Sequence, residues 1–365
     1  MECLGYEGRP SLMKRMTKLI LSLAVAFIIV GGVGSFYLYQ ELQDIRKKNE
    51  IKKSFTFDGS DTLVLDFKQN TNVTITKSND NKVHMERVGL PLDQKSVGKT
   101  DWEIKKDSNK TTATINNHTV KKKYNFNFSI FSPDVSNDMI QLRLPNGYKH
   151  IEVNGKRLNL NLYDFNSESL KIKANNGDVA IQDANTNNLD IESTTGNIEL
   201  RDMKISEKIT LNSSYGALSI FDTRAKEYHL NSTSGDILLG NTRGTINAKT
   251  RDGNLSLNHN TGKANLETQN SDIFFHTVLT HDDVTLKTTH GNITLELDDK
   301  GWKNATATLK TSTGVITDVM DETLNANNQK LFEQKKDKPA LDVTTQNGNI
   351  SVVQLEDGDT HYGYD

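Results

Sequence analysis

The sequence predicts an all-β protein: a right-handed parallel β-solenoid, β-helix-like, of about ten rungs of 18–20 residues, with an irregular β cap and an N-terminal transmembrane helix. Three observations lead there. A twelve-residue pattern returns ten times between residues 151 and 352. An uncharged apolar run occupies residues 19–39. The rest of this 365-residue chain is sparing with apolar side chains, since the whole is only 35% hydrophobic and 7% aromatic, as suits a thin core. A net charge of -3 without a basic block argues against a nucleic-acid partner.

Residues 1–18 form a short N-terminus, and the run from Leu19 to Tyr39 follows it. As a helix, 21 residues cover roughly 30 Å, the thickness of the hydrocarbon core of a bilayer. Gly32 and Gly34 would suit a cleaved signal peptide. Phe36 to Tyr39, however, carry the apolar run beyond that point, with tyrosines fit for a membrane interface, and this favours a retained signal anchor. Lys14, Arg15 and Lys18 abut the run, whereas the downstream cations begin only at Arg46. The positive side stays inside, so the expectation is a single-pass cell-membrane protein with residues 1–18 cytoplasmic and the C-terminal part extracytoplasmic. Cys3, the single cysteine, lies on the cytoplasmic side and leaves the outer part without a disulfide. Met13, which heads "MKRMTK", is the more usual kind of start.

Residues 40–54 are a charged juxtamembrane linker. Residues 55–148 carry looser strand patterns, such as "TLVLDF" and "NVTITK", and are expected to form the irregular cap, with degenerate rungs allowed among them. The solenoid spans 149–356, interrupted by a charged excursion at 319–339, and an acidic tail closes the chain at 357–365.

The repeat is seen in "LDIESTTGNIEL" from Leu189, which has apolar residues at offsets 0, 2, 9 and 11, a small residue at 4 and glycine at 7. The other copies begin at Ile151, Leu170, Ile209, Tyr228, Ile246, Ala264, Val284, Ala307 and Leu341. Of the 40 positions at the four apolar offsets, 39 are apolar, Asp318 being the exception, against 5 of 40 at the interleaved offsets. That is the period of a strand, and its near-constant return marks a stack of rungs. Gly177, Gly196, Gly216, Gly235, Gly253, Gly291, Gly314 and Gly348 are expected at a structural corner, where positive φ costs glycine little. Ser271 and Leu158 replace it in the two remaining copies. The hydroxyls at offset 4, from Ser193 to Thr345, are expected to bridge neighbouring corners.

Chemistry is sparse. Asp178, Asn197, Asp236, Asn254, Asp272, Asn292 and Asn349 follow the corner, but the glycine-rich nonapeptide of calcium-binding rolls is missing, and local backbone bonding explains them without a metal. Asp183, Asp202 and Asp222 recur just past offset 11. They are candidates for acid/base work on a glycan or for a structural surface ladder, and their regularity favours the ladder. His259, His276, His281 and His290 fall at unlike offsets, which argues against metal ligation. No cofactor motif occurs.

The N-terminal anchor, the stretch "LRLPNGYKHIEV" and rungs of the form T-x-x-G-[DN]-I resemble the bacterial putative-adhesin β-strand-repeat family, over roughly residues 139–353. That resemblance implies a domain without catalytic residues, in membrane-anchored accessory proteins encoded beside cell-envelope stress operons. The expected function is a non-enzymatic adhesin-like binding or scaffold module at the cell envelope. Its partners would be the bilayer, through 19–39, and an envelope polymer or membrane protein. The alternative is a carbohydrate-active β-helix enzyme, a polysaccharide lyase or hydrolase.

Overall fold

The computed structural model describes residues 31–37, 39–40, 51–88, 100–117, 139–277, 282–297, 305–318, 326–327, 330–331 and 338–354. Their strands join in one 26-stranded system around a single apolar core that runs from Leu63 to Val352.

The rung beginning at Leu189 shows how the sequence builds the unit. On its first side Leu189 and Ile191 point inward while Asp190 and Glu192 point out. The chain turns at Gly196, and the second side, Ile198–Arg201, buries Ile198 and Leu200. It turns again at Asp202, whose φ is 54°. A short third side buries Met203 and Ile205 and exposes Lys204. Each side pairs in parallel with its counterpart in the next rung, Leu189 with Ile209, Ile198 with Leu218 and Lys204 with Arg224. Like residues therefore stack in columns, and each buried Leu or Ile contributes about 1.5–3 kcal/mol relative to exposure. Tyr228 fits this first-side column because its buried hydroxyl donates to the Thr223 carbonyl, 2.7 Å away. Burial pushes its phenol pKa upward.

The looser spacing of residues 55–148 hides two further rungs. Thr62–Phe67 and Thr71–Lys77 pair in parallel with the first repeat copy, placing Leu63 on Ile151 and Val73 on Leu160. The corner at 68–70 has no glycine and its apolar offsets slip by one, so the twelve-residue template passes over it. Lys110–Asn117 and Met139–Leu144 stack on the far side of that rung. Rung order at this end is consequently not chain order. Antiparallel strands cover the outermost rung: Thr100–Asp107 lies along Lys110–Asn117, and Lys82–Val88 along Met139–Leu144.

The other end repeats the device. Ala340–Thr345 pairs in parallel with both Val284–Thr288 and Thr306–Thr311, so the last copy in the chain is inserted between its two predecessors. Two short antiparallel strands from the excursion, Ala326–Asn327 and Lys330–Leu331, lie on the terminal rung. Covering the outermost strands in this way withholds free edges from other chains.

Most of the expected anchor lies outside the described residues. Residues 31–37 are helical and exposed, and among the described residues no helix is long and apolar enough to cross a membrane. Cys3, His281 and the tail 357–365 also fall outside them.

Candidate functional site

Three features recur at the glycine corners, and the first two are explained by packing and hydrogen bonding. The first is the glycine. Only Gly177 and Gly196 of the eight have positive φ, at 119° and 129°, which corrects the expectation that left-handed backbone demands glycine throughout. In Gly216, Gly235, Gly253, Gly291, Gly314 and Gly348 the cause is proximity, because a Cβ would strike the backbone carbonyl of the stacked corner residue in the adjacent rung. The hydroxyl at offset 4 completes the corner. Ser213 and Ser232 accept from the Gly216 and Gly235 amides, each at 2.9 Å. Thr288 and Thr345 donate across rungs to the carbonyls of Ser271 and Gly291, also at 2.9 Å.

The second is the Asp/Asn residue after the corner. Asp178 Oδ1 accepts from the Asn197 amide at 2.7 Å, Asp236 from Asn254 at 2.7 Å and Asp272 from Asn292 at 2.7 Å. These side chains are acceptors for the next rung, and among the described residues no group of His, Cys, Asp or Glu could hold a metal ion.

The Asp183, Asp202 and Asp222 ladder occupies the second corner. Asp164, Asp183, Asp202, Asp222, Asn241 and His259 all have φ between 47° and 55°, the left-handed region that Asp and Asn tolerate best. Their recurrence is therefore set by the backbone. Asp202 and Asp222 also line an open pocket of about 670 Å³ with Arg224, Arg243 and His259, whereas Asp183 does not. His259 lies 4.7 Å, ring to ring, from His276, which meets Glu296 at 2.7 Å. Desolvation, then the neighbouring His276, lowers the His259 pKa.

The third feature is a groove along the glycine corners of four successive rungs, about 450 Å³ in volume. Asn212 and Asn231 line it, with Asn231 Nδ2 donating to Asn212 Oδ1 at 3.0 Å. Lys173 and Glu192 continue the same column as an ion pair of 3.0 Å. Asn175, Thr194, Ser214 and Thr233 line it as a second row. Ser193 Oγ, also in the groove, is buried and has no hydrogen-bond partner. Tyr215, next to Ser214, is 66% exposed. The repeat places these residues: outward offset 3 supplies one lining row and offset 5 the other. The sequence shows the polar columns but not the concavity, which depends on how the corner bends.

One family matches residues 60–353 of this chain, four-fifths of its length, beginning before Thr62 of the added rung and ending within the last strand. The chain belongs to the Toastrack DUF4097 family. The two added rungs thus lie within the Toastrack domain. No curated protein matches the chain. Among solved structures, a putative adhesin from Parabacteroides merdae is similar at 14% identity, covering 83% of this chain and 96% of its own, with a TM-score of 0.42. A putative adhesin from Parabacteroides distasonis has the same identity and TM-score, covering 83% and 97%. A protein from that organism described as a putative lipid binding protein is 12% identical, covering 84% and 97%, with a TM-score of 0.41.

Proposed function

We propose that this Toastrack protein is a non-enzymatic, adhesin-like binding or scaffold module of the cell envelope. In this reading residues 19–39 anchor it, the N-terminus is cytoplasmic, and a right-handed rod stands outside the membrane as an accessory to envelope-stress signalling. The corner groove is the face that binds, and its partner is an extended, polyhydroxylated wall polymer. One observation carries this: a continuous row of outward polar side chains across four rungs, Lys173, Glu192, Asn212 and Asn231, which offers donors and acceptors to a chain of hydroxyls. Exposed Tyr215 offers an aromatic face beside the groove. Affinity for purified wall polysaccharide tests the reading. Asn212→Ala with Asn231→Ala should weaken binding about tenfold without altering the fold, and unchanged binding would refute the groove as the contact face.

A second reading, a carbohydrate-active enzyme, is favoured by the pocket at Asp202 and Asp222. These residues sit on adjacent rungs, and strand spacing is about 4.8 Å, near the separation of about 5 Å that retaining glycosidases require. Asn is the decisive replacement because it keeps the left-handed corner. Glycan depolymerisation by the wild type that disappears in Asp202→Asn/Asp222→Asn would establish the enzyme, and no turnover by the wild type would dismiss it.

A further inference from the structure

The corner groove opens, at its first rung, onto the place where the repeat breaks. In the copy from Ile151 the corner holds Lys156 and Arg157, with Leu158 instead of glycine, and the corner of the added rung holds Lys68, Gln69 and Asn70. Together with the next corner they form an open pocket of about 610 Å³, walled by Lys68, Gln69, Lys156, Arg157, Asn175 and Asn176 and by no carboxylate. Asn175 is shared with the groove.

Several outward cations of the first side are matched across rungs, Lys171 with Asp190 at 3.1 Å, Lys173 with Glu192 at 3.0 Å and Lys249 with Glu267 at 2.7 Å, whereas Lys287 and Lys310 stand singly among the described residues. Lys68 is likewise held by Asp66. Lys156 and Arg157 have no carboxylate within ion-pairing distance among the described residues, although both face the pocket. The Thr195 hydroxyl donates to Asn176 Oδ1, which leaves the Asn176 amide N–H groups as donors. The pocket therefore combines two free cations with amide donors. An oxyanion uses both, since charge-assisted hydrogen bonds are the strong ones.

We propose that this pocket binds an oxyanion, a phosphate or carboxylate borne on a sugar or polyol, and so fixes the charged unit of the polymer seated in the groove. The proposal rests on the binding-module reading, but a small anion tests the pocket independently of the groove. The experiment is calorimetric titration of the full chain with glycerol 3-phosphate, glucuronate and uncharged glycerol, at low and high salt. At least one anion should bind saturably, more weakly at high salt, and glycerol should not bind. Which anion binds better distinguishes phosphate from carboxylate. Lys156→Gln/Arg157→Gln should weaken that binding at least about tenfold, whereas exposed Lys82→Gln, in the cap, should leave it unchanged. No saturable binding of either anion, or binding indifferent to the Lys156/Arg157 pair, would overturn the proposal. Anion binding that survives Asn212→Ala/Asn231→Ala while polymer binding never appears would sink the groove and leave the pocket standing.

Discussion

At the scale of single residues, two ladders that look alike in sequence have different physical causes. The corner glycines answer to a neighbouring backbone and the Asp/Asn corners to a left-handed φ, and substitution separates the two. Gly235 has no positive φ, and its missing Cβ would meet the Gly216 carbonyl. Gly235→Ala should therefore destabilise the protein by about 1–3 kcal/mol, as overpacking does, and Asn there should be no better than Ala. At Asp202, with φ of 54°, Asn should be nearly neutral and Ala should cost about 1–2 kcal/mol. Urea unfolding of the four variants measures both contrasts. The corner glycines were legible from the repeat, but their reason was not, because carbonyl proximity is a relation between rungs some 19 residues apart. Left-handed backbone could have been suspected at the second corner, where Asp, Asp, Asp and Asn return at Asp183, Asp202, Asp222 and Asn241. His259 adds a pH signature. Its pKa is lowered in the fold, so the unfolded chain binds the proton more readily below about pH 6.5. Stability should fall as pH drops through that value, and His259→Asn should flatten the slope in thermal melts taken between pH 7.5 and 5.

At the scale of elements, the inserted copy is what sequence order conceals. Period and pattern place a rung at Leu341, but a repeat alone says nothing about which rung is its neighbour. The link is visible only in contacts such as the Asp283 carboxylate accepting from the Ala340 amide at 3.1 Å, a bond that, with Lys263, holds the Asp283 pKa below its usual range. Stacking in chain order would make 341–354 the frayed end. Insertion makes it interior, flanked on both faces. Hydrogen exchange should thus find Ala340–Thr345 better protected than Thr306–Thr311, although it lies later in the chain. The reverse ranking would contradict the insertion. The register of the cap's rungs was illegible for a related reason: an extra corner residue shifts Val73 and Ile75 off the template while leaving them buried in the same columns.

At the scale of the molecule, the ends show how a narrow rod limits edge-to-edge pairing with other chains. Each outermost rung is covered by antiparallel strands, Thr100–Asp107 and Lys82–Val88 at one end and the two short strands of the excursion at the other. Removing 319–337 and joining the flanks should bare the Thr306–Thr311 edge and promote association, which sedimentation at rising concentration would register. With the outermost rungs covered and the core apolar, the open polar surface is lateral, and the corner groove with its basic pocket is one of the places where that surface becomes concave, the Asp202/Asp222 pocket being another. Hydroxyl-radical footprinting of the full chain with wall polymer tests this claim most directly, because two exposed tyrosines report on two faces. Tyr215 stands at the groove corner and Tyr163 just before the opposite corner, 66% and 41% exposed respectively. The account predicts that polymer protects Tyr215 and leaves Tyr163 as reactive as before. Protection of Tyr163 alone, or of neither while polymer is bound, would contradict it.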